Sequence, residues 1–222
     1  CGSARAVEQA RALGHAEDRI YRASGMILHP RFYAPVEADR RAERARLGLD
    51  PELPAGLVLF GGQGSSVMLE IAERLEGANL GVQLILIVGR NEKLGRKLRE
   101  RKWRMPVFVE GFTTEVPYYM HLSDFFIGKP GPGSISEALA MKLPVIVERN
   151  AWTLPQERYN ADWILEQGVG TVLPNFHGIA AAVKEMLDPA NFTRYRERAA
   201  AIENRAVFEI PRMLEEIMER RS

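Results

Sequence analysis

Six short runs in which nearly every residue is apolar set the tightest limit on the fold. They are LVLF (57–60), QLILIV (83–88), PVFVEG (106–111), FFIG (125–128), PVIVE (144–148) and GTVLP (170–174). The segments between them, such as SVMLEIAERL and ISEALAMK, have helical length and composition. Strands that read as continuous apolar runs, rather than alternating ones, are covered on both faces, and parallel pairing needs helical crossovers to cover them. The expected fold class is therefore α/β, a doubly wound parallel sheet of Rossmann-like type. Upstream, a helix from about Ser3 to Leu13 and a turn at Gly14 precede an extended piece, IYRASGMILHPRFYAP. Beyond Pro174 the pattern is helical, at about 177–187, 192–204 and in a final AVFEIPRMLEEIMERR.

The charge balance removes one class of partner. Thirty basic against 29 acidic residues leave a net charge of +1, so no global field draws in nucleic acid. Local basic runs exist at Arg40–Arg46 (RRAERAR) and across 90–104. Such runs are read as solvated helix faces, the other reading being a phosphate or membrane patch. Cys1 is the only cysteine, so no disulfide forms within the chain, which fits a reducing, cytoplasmic setting. No run reaches the ~20 apolar residues of a membrane span. The chain opens on CGSARAVEQARALG, without methionine and already in an amphipathic pattern, and is expected to be part of a longer protein. His15, His29, His121 and His177 lack metal-ligand spacing, and there is no HExxH, Asp-x-Asp or GxSxG, so neither a metal nor hydrolase chemistry is expected.

In an open parallel sheet, ligands bind beyond the carboxyl ends of the strands, so the informative residues follow the strands directly. GGQGSS (Gly61–Ser66) follows the first run, with a helix expected from about Ser65. Gly62, Gln63, Gly64 and Ser65 form either a phosphate or hydroxyl cradle or a tight strand-to-helix turn, and no third fingerprint glycine or GK[ST] follows. KPGPGS repeats the arrangement after FFIG: Gly131, Pro132 and Gly133 lead into a helix expected to be capped by Ser134 or Ser136. Two such loops on one sheet edge could together hold a diphosphate through helix N-termini. Glu137, expected in the first turn of that helix, either complements the helix dipole or accepts from the hydroxyls of a ribose. After PVIVE, Gln156, Glu157 and Asn160 either cap the helix around Pro155 or meet a second sugar. Phe112 and Thr113 in GFTTEV either pack into the core or face a flat base.

Together, GGQGSS, EGF, and KPGPGSISEAL followed by LPVIVERNAWTLPQERYNADWIL and GVG resemble the C-terminal half of the monogalactosyldiacylglycerol synthase family. They are similar, more distantly, to the peptidoglycan N-acetylglucosaminyltransferase. The resemblance spans nearly the whole chain. It implies a GT-B glycosyltransferase that uses a UDP-sugar as donor substrate, without metal or cofactor. On this resemblance, residues 1–40 are the end of an N-terminal domain and a linker, 41–204 the donor domain, and 205–222 a C-terminal helix.

The resemblance further implies that Gly131, Pro132, Gly133 and Ser134 meet the diphosphate and that Glu137 takes the ribose hydroxyls. Phe112 and Thr113 would lie by the uracil, Gln156 and Glu157 would hold the transferred sugar with Asn160 nearby, and Gly62, Gln63, Gly64 and Ser65 would face the diphosphate and acceptor. Arg90 matches a Gly-Arg-Asn after its strand and would sit near base or phosphate. The implied activity is inverting transfer to a lipid such as diacylglycerol, at a membrane surface, with the base and the lipid site in an N-terminal domain outside this chain. The alternatives are a non-catalytic nucleotide-sugar-binding subunit of a two-chain transferase and a UDP-sugar epimerase. Two departures stand out: His29 in LHPRF, where plant members have arginine before proline, and WTLPQE, which is longer and more aromatic than the family's glycine-containing loop.

Overall fold

The computed structural model describes residues 1–219. Its centre is a six-stranded, wholly parallel sheet: β1 (Ala55–Leu59), β2 (Gln83–Ile87), β3 (Val107–Glu110), β4 (Phe125–Gly128), β5 (Val145–Glu148) and β6 (Gly170–Leu173). All six apolar runs are strands. Their order across the sheet is β3-β2-β1-β4-β5-β6, so the winding reverses between β1 and β4. The helices are α1 (Ala4–Ala12), α2 (Arg40–Arg46), α3 (Val67–Ala78), α4 (Glu92–Glu100), α5 (Val116–His121), α6 (Pro132–Ala140), α7 (Pro155–Gln167), α8 (Ile179–Met186), α9 (Pro189–Ala201) and α10 (Ala206–Glu219). The last three residues of the expected C-terminal helix, 220–222, lie outside the described residues.

Side chains alternate between two apolar layers along each central strand. Leu57, Ile85, Phe126 and Val145 pack on one face with α5, α6 and α7, whereas Val58, Leu84, Phe125 and Ile146 pack on the other with α3, α4 and α8. Because both faces are covered, β1, β2 and β4 are buried along their whole length, and only the edge strands β3 and β6 are half-exposed. α5 was not legible in the sequence: it has six residues, contains Pro117 and is too short to repeat a helical pattern. The basic helix expected to run to 104 ends at Glu100, after which the chain turns extended at Arg101.

One expectation is corrected by burial. RRAERAR forms α2, but it is not simply a solvated face: Arg44 is 4% exposed. Its guanidinium donates to the carbonyls of Leu122 (2.8 Å), Pro51 (3.1 Å) and Leu53 (3.2 Å), and to Asp124 Oδ2 at 2.6 Å. Arg40 donates to Asp124 Oδ1 (2.6 Å), and the Ala55 amide donates to Asp124 Oδ2 (2.8 Å). The carboxylate thus joins α2 to the amino ends of β1 and β4. A seven-residue helix carrying five charges gives no sequence signal of which arginine turns inward.

At the chain ends, Asn204 Nδ2 donates to the Met26 carbonyl (2.9 Å), and the Ser24 amide donates to Glu209 Oε2 (2.7 Å). The segment before α2 and the start of α10 are therefore held together beside α6 and α7.

Asp124→Asn is expected to cost on the order of 3–5 kcal/mol in urea unfolding at neutral pH, because it leaves Arg44 buried without its counter-charge. Burial pushes the Asp124 carboxyl up, but the Ala55 amide, Arg40 and Arg44 outweigh it, so it titrates below the usual aspartate range. Its contribution is present above the unfolded value of about 3.9 and is lost as pH falls through the lower folded value. The gap between wild type and D124N is therefore expected to narrow below about pH 4.

Candidate functional site

β1 and β4 are neighbours, with Leu59 opposite Gly128, so the loops that leave them start one strand spacing apart. α3 then passes to one face of the sheet and α6 to the other. This crevice, at the reversal of strand order, is where ligands of such sheets bind.

The first loop is shaped by its own backbone. Gly61 and Gly64 adopt φ of +74° and +60°, and a side chain at Gly64 would collide with the Val88 carbonyl. The Arg90 amide donates to the Gly62 carbonyl at 2.8 Å, tying this loop to the turn after β2. α3 begins at Val67 rather than near Ser65; Ser65 Oγ accepts weakly from the Val67 amide at 3.4 Å. Gly62, Gln63 and Ser66 are exposed at the crevice mouth.

The second loop differs. Its helix is capped by Gly131, with Pro132 in the first position, so neither Ser134 nor Ser136 is the cap as the sequence suggested. Proline belongs there because its missing N–H would have no helical partner. The amides of Gly133 and Ser134 fall among the first-turn donors that no intrahelical carbonyl can satisfy. Gly131 has φ of −70°, and Gly133 is not among the residues with positive φ. A methyl group on Gly133 would have as its nearest neighbour Met26 Cε at 4.0 Å. Nothing in the chain's own packing requires glycine at Gly133. Gly133 and Ser134 are partly exposed, whereas the cap Gly131 is buried beside Lys129 and Glu157.

Glu137 lies in the second turn, not the first, because α6 starts earlier than expected. It is half-buried, its carboxylate has no hydrogen-bond or ion-pair partner among the described residues, and burial pushes that carboxyl above the usual glutamate range. A carboxylate held in this way is an acceptor awaiting donors.

α7 supplies the third group. Asn160 Nδ2 donates to the Pro130 carbonyl at 2.8 Å, pinning the KPGPGS loop. Glu157 Oε1 lies 3.7 Å from Lys129 Nζ and would sit 3.6 Å from a methyl group on Gly131. Gln156 is exposed. The preceding turn is internally braced: Thr153 Oγ1 accepts from the Asn150 amide, and Asn150 Oδ1 accepts from the Trp152 amide, both at 2.9 Å.

Across the crevice, Phe112 is 56% exposed rather than part of the core. The Arg90 guanidinium stacks over its ring at 4.6 Å, and the ring edge borders Gly62. Thr113 Oγ1 accepts from the Glu115 amide at 2.9 Å. Arg31 donates to the Thr114 carbonyl at 2.6 Å and to His29 Nδ1 at 3.2 Å, so the upstream LHPRF segment buttresses this loop. Glu110 accepts from the Gly111 amide (2.7 Å) and from the Tyr119 hydroxyl, fixing the loop from beneath.

The structure therefore gathers Gly62, Arg90 and Phe112 on one side of the crevice, and Gly131, Glu157 and Asn160 on the other. Lys129 and Glu110 were missed by the sequence reading. Lys129 had a legible signal, as a cation directly before the glycines of KPGPGS. Glu110 acts through its neighbour Gly111 and through Tyr119 of α5, a helix with no legible sequence pattern, and had none.

A six-stranded parallel sheet with helices on both faces and glycine-bordered helix starts at the reversal of strand order defines a doubly wound, Rossmann-like domain. The glycosyltransferase family 28 C-terminal domain model matches residues 57–209, and the chain belongs to that family. It is 35% identical to the chloroplastic monogalactosyldiacylglycerol synthase of Spinacia oleracea over 204 residues, covering 87% of this chain and 38% of that protein. It is 33% identical to monogalactosyldiacylglycerol synthase 1 of Arabidopsis thaliana over 198 residues, covering 86% and 36%. The chain thus spans about two fifths of the length of these curated relatives. Among solved structures it is similar in fold to Anabaena HepE in complex with UDP-glucose, with TM-score 0.64 and 17% identity over 99% of this chain and 62% of that one.

The Glu137 environment carries a stability prediction. A carboxyl raised in the folded state lowers stability once pH exceeds the unfolded value of about 4.3, and the full cost is reached above the folded value. Glu137→Gln is therefore expected to melt higher than wild type at pH 7, with the difference vanishing near pH 4, as calorimetric melts across that range would show.

Proposed function

We propose that this chain is the donor-binding part of an inverting glycosyltransferase that takes a UDP-sugar and glycosylates a lipid hydroxyl, such as that of diacylglycerol. The observation that carries the reading is a half-buried Glu137 carboxylate, without a partner among the described residues, one turn into a helix whose start carries glycine at Gly131 and Gly133. Amide donors at Gly133 and Ser134 suit a diphosphate, and the partial positive charge of the α6 terminus adds to them. A ribose with two adjacent hydroxyls suits Glu137, where donated hydrogen bonds compensate its burial. The exposed Phe112 ring, held by Arg90, offers a face for the base. Gln156 and Glu157 suit hydroxyls of the transferred sugar. The first loop, from Gly62 through Gln63 and Gly64 to Ser65, faces the diphosphate from the α3 side.

In the proposed reaction the acceptor oxygen forms a bond to the anomeric carbon as the bond to the β-phosphate oxygen breaks. UDP leaves with the bonding electron pair, and the acceptor proton passes to a base that we do not assign among residues 1–219. The fixed donors at the α6 terminus, and those of the first loop, stabilise the charge that grows on the diphosphate. The proposed mode is metal-independent. Among the described residues, no helix is long and apolar enough to cross a membrane; contact with a lipid acceptor is accordingly proposed to be peripheral, from the cytoplasmic side.

Isothermal titration calorimetry tests the reading. Wild type is expected to bind UDP, and Glu137→Ala to weaken binding about tenfold, corresponding to roughly 1–2 kcal/mol of hydrogen bonding to a charged acceptor. Absence of UDP binding by wild type refutes the proposal. A second substitution separates fold from site. Gly133→Ala has room in the chain's own packing, so it should melt within a few degrees of wild type while binding UDP at least tenfold more weakly.

A further inference from the structure

We infer that Lys129 is a donor-gated cation: its ion pair with Glu157 exchanges for one with the diphosphate when a UDP-sugar binds, and this releases Glu157 to the hydroxyls of the sugar. The inference rests on the proposed donor site and assigns within it a residue that the sequence reading did not.

The geometry of the pair is that of a loose clasp. Lys129 Nζ and Glu157 Oε1 stand 3.7 Å apart, beyond hydrogen-bonding distance. The lysine side chain is 47% exposed and free to re-orient, whereas the glutamate is only 13% exposed and stays in place. Both flank the helix cap: a methyl group on Gly131 would lie 3.4 Å from Lys129 Cε and 3.6 Å from Glu157 Oε1. The backbone between them is fixed by the Asn160 bond to the Pro130 carbonyl. Exchange thus requires only rotation of a lysine stem, with no movement of the loop.

Charge supplies the direction. An unpaired carboxylate at the mouth of α6 would repel a diphosphate, and Lys129 neutralises it. A diphosphate carries more charge than one carboxylate and offers several oxygens, so it competes successfully for a mobile ammonium that already stands beside it. Once the ammonium has turned, Glu157 presents both oxygens to whatever is attached to the β-phosphate. Site occupancy by the nucleotide and readiness for the sugar are thereby coupled through one cation. Lys129 also remains on the leaving group as charge accumulates there, which makes it a direct contributor to the departure of UDP.

The test is calorimetry of UDP and of UDP-galactose on wild type, Lys129→Met, Lys129→Arg and Glu157→Gln, each at two ionic strengths. K129M is expected to raise the Kd for UDP about tenfold and to flatten its salt dependence, with K129R recovering most of the loss. E157Q is expected to tighten UDP a few-fold, because a repelling charge is gone and the ammonium is free, yet to weaken UDP-galactose relative to UDP. A merely structural clasp predicts the opposite sign for E157Q. Unchanged UDP affinity in K129M, or weaker UDP binding in E157Q, overturns the inference while leaving the donor site standing. A wild type that does not bind UDP overturns both.

Discussion

The pairing of β1 with β4 is the constraint on which everything else rests. It places the two strands whose helices depart to opposite faces side by side, and so opens the crevice between their loops. The pairing is close at its carboxyl end, where a side chain on Gly128 would stand 2.6 Å from the Leu59 carbonyl. At its amino end, Asp124 accepts from the Ala55 amide and holds Arg40 and Arg44. A small residue at the top and a buried carboxylate at the bottom therefore fix the same strand pair. The site inherits its position from that pair.

The crevice is organised by backbone rather than by side chains on one wall, and by side chains on the other. Around α6, the chain withholds side chains from Gly131 and Gly133, so on the proposed reading the helix terminus itself would be the recognising surface. Around β3, a cation–aromatic stack is held from above by Arg31 and from beneath by Glu110. Glu137 stands between these modes: its carboxylate is an acceptor kept half out of water with nothing among the described residues to satisfy it. Such an arrangement lowers the stability of the free fold and is favourable only with donors in place, which is a common signature of a functional group.

The segment upstream of α2 is more than a connector. Arg31 reaches the loop that carries Phe112, and Asn204, Glu209 and Ser24 join the two chain ends beside α6 and α7. A cavity of about 690 Å³, lined in part by Met26, Ser136, Tyr159 and Trp163, lies between these ends and the outer face of α6. Movement of the upstream segment would therefore be felt both at the loop that carries Phe112 and behind α6.

The sequence by itself determined the layers. Apolar runs too continuous to face water had to be strands covered on both sides, and the glycine-bordered turns after FFIG and LVLF marked the edge where a ligand would sit. Those features are local, and local chemistry is legible residue by residue. Only the tertiary structure decided which strands are neighbours, and hence that the two glycine loops meet. It turned Arg44 inward, because the amino ends of β1 and β4 left carbonyls and a carboxylate to be satisfied. It exposed Phe112, which could equally have been core, and started α6 at Pro132, so that Glu137 moved a turn along, out of the first turn where it would complement the helix dipole. It also set Lys129 against Glu157 across 28 residues of chain. Each of these outcomes depends on contacts between segments far apart in sequence, and no local pattern of residues encodes them.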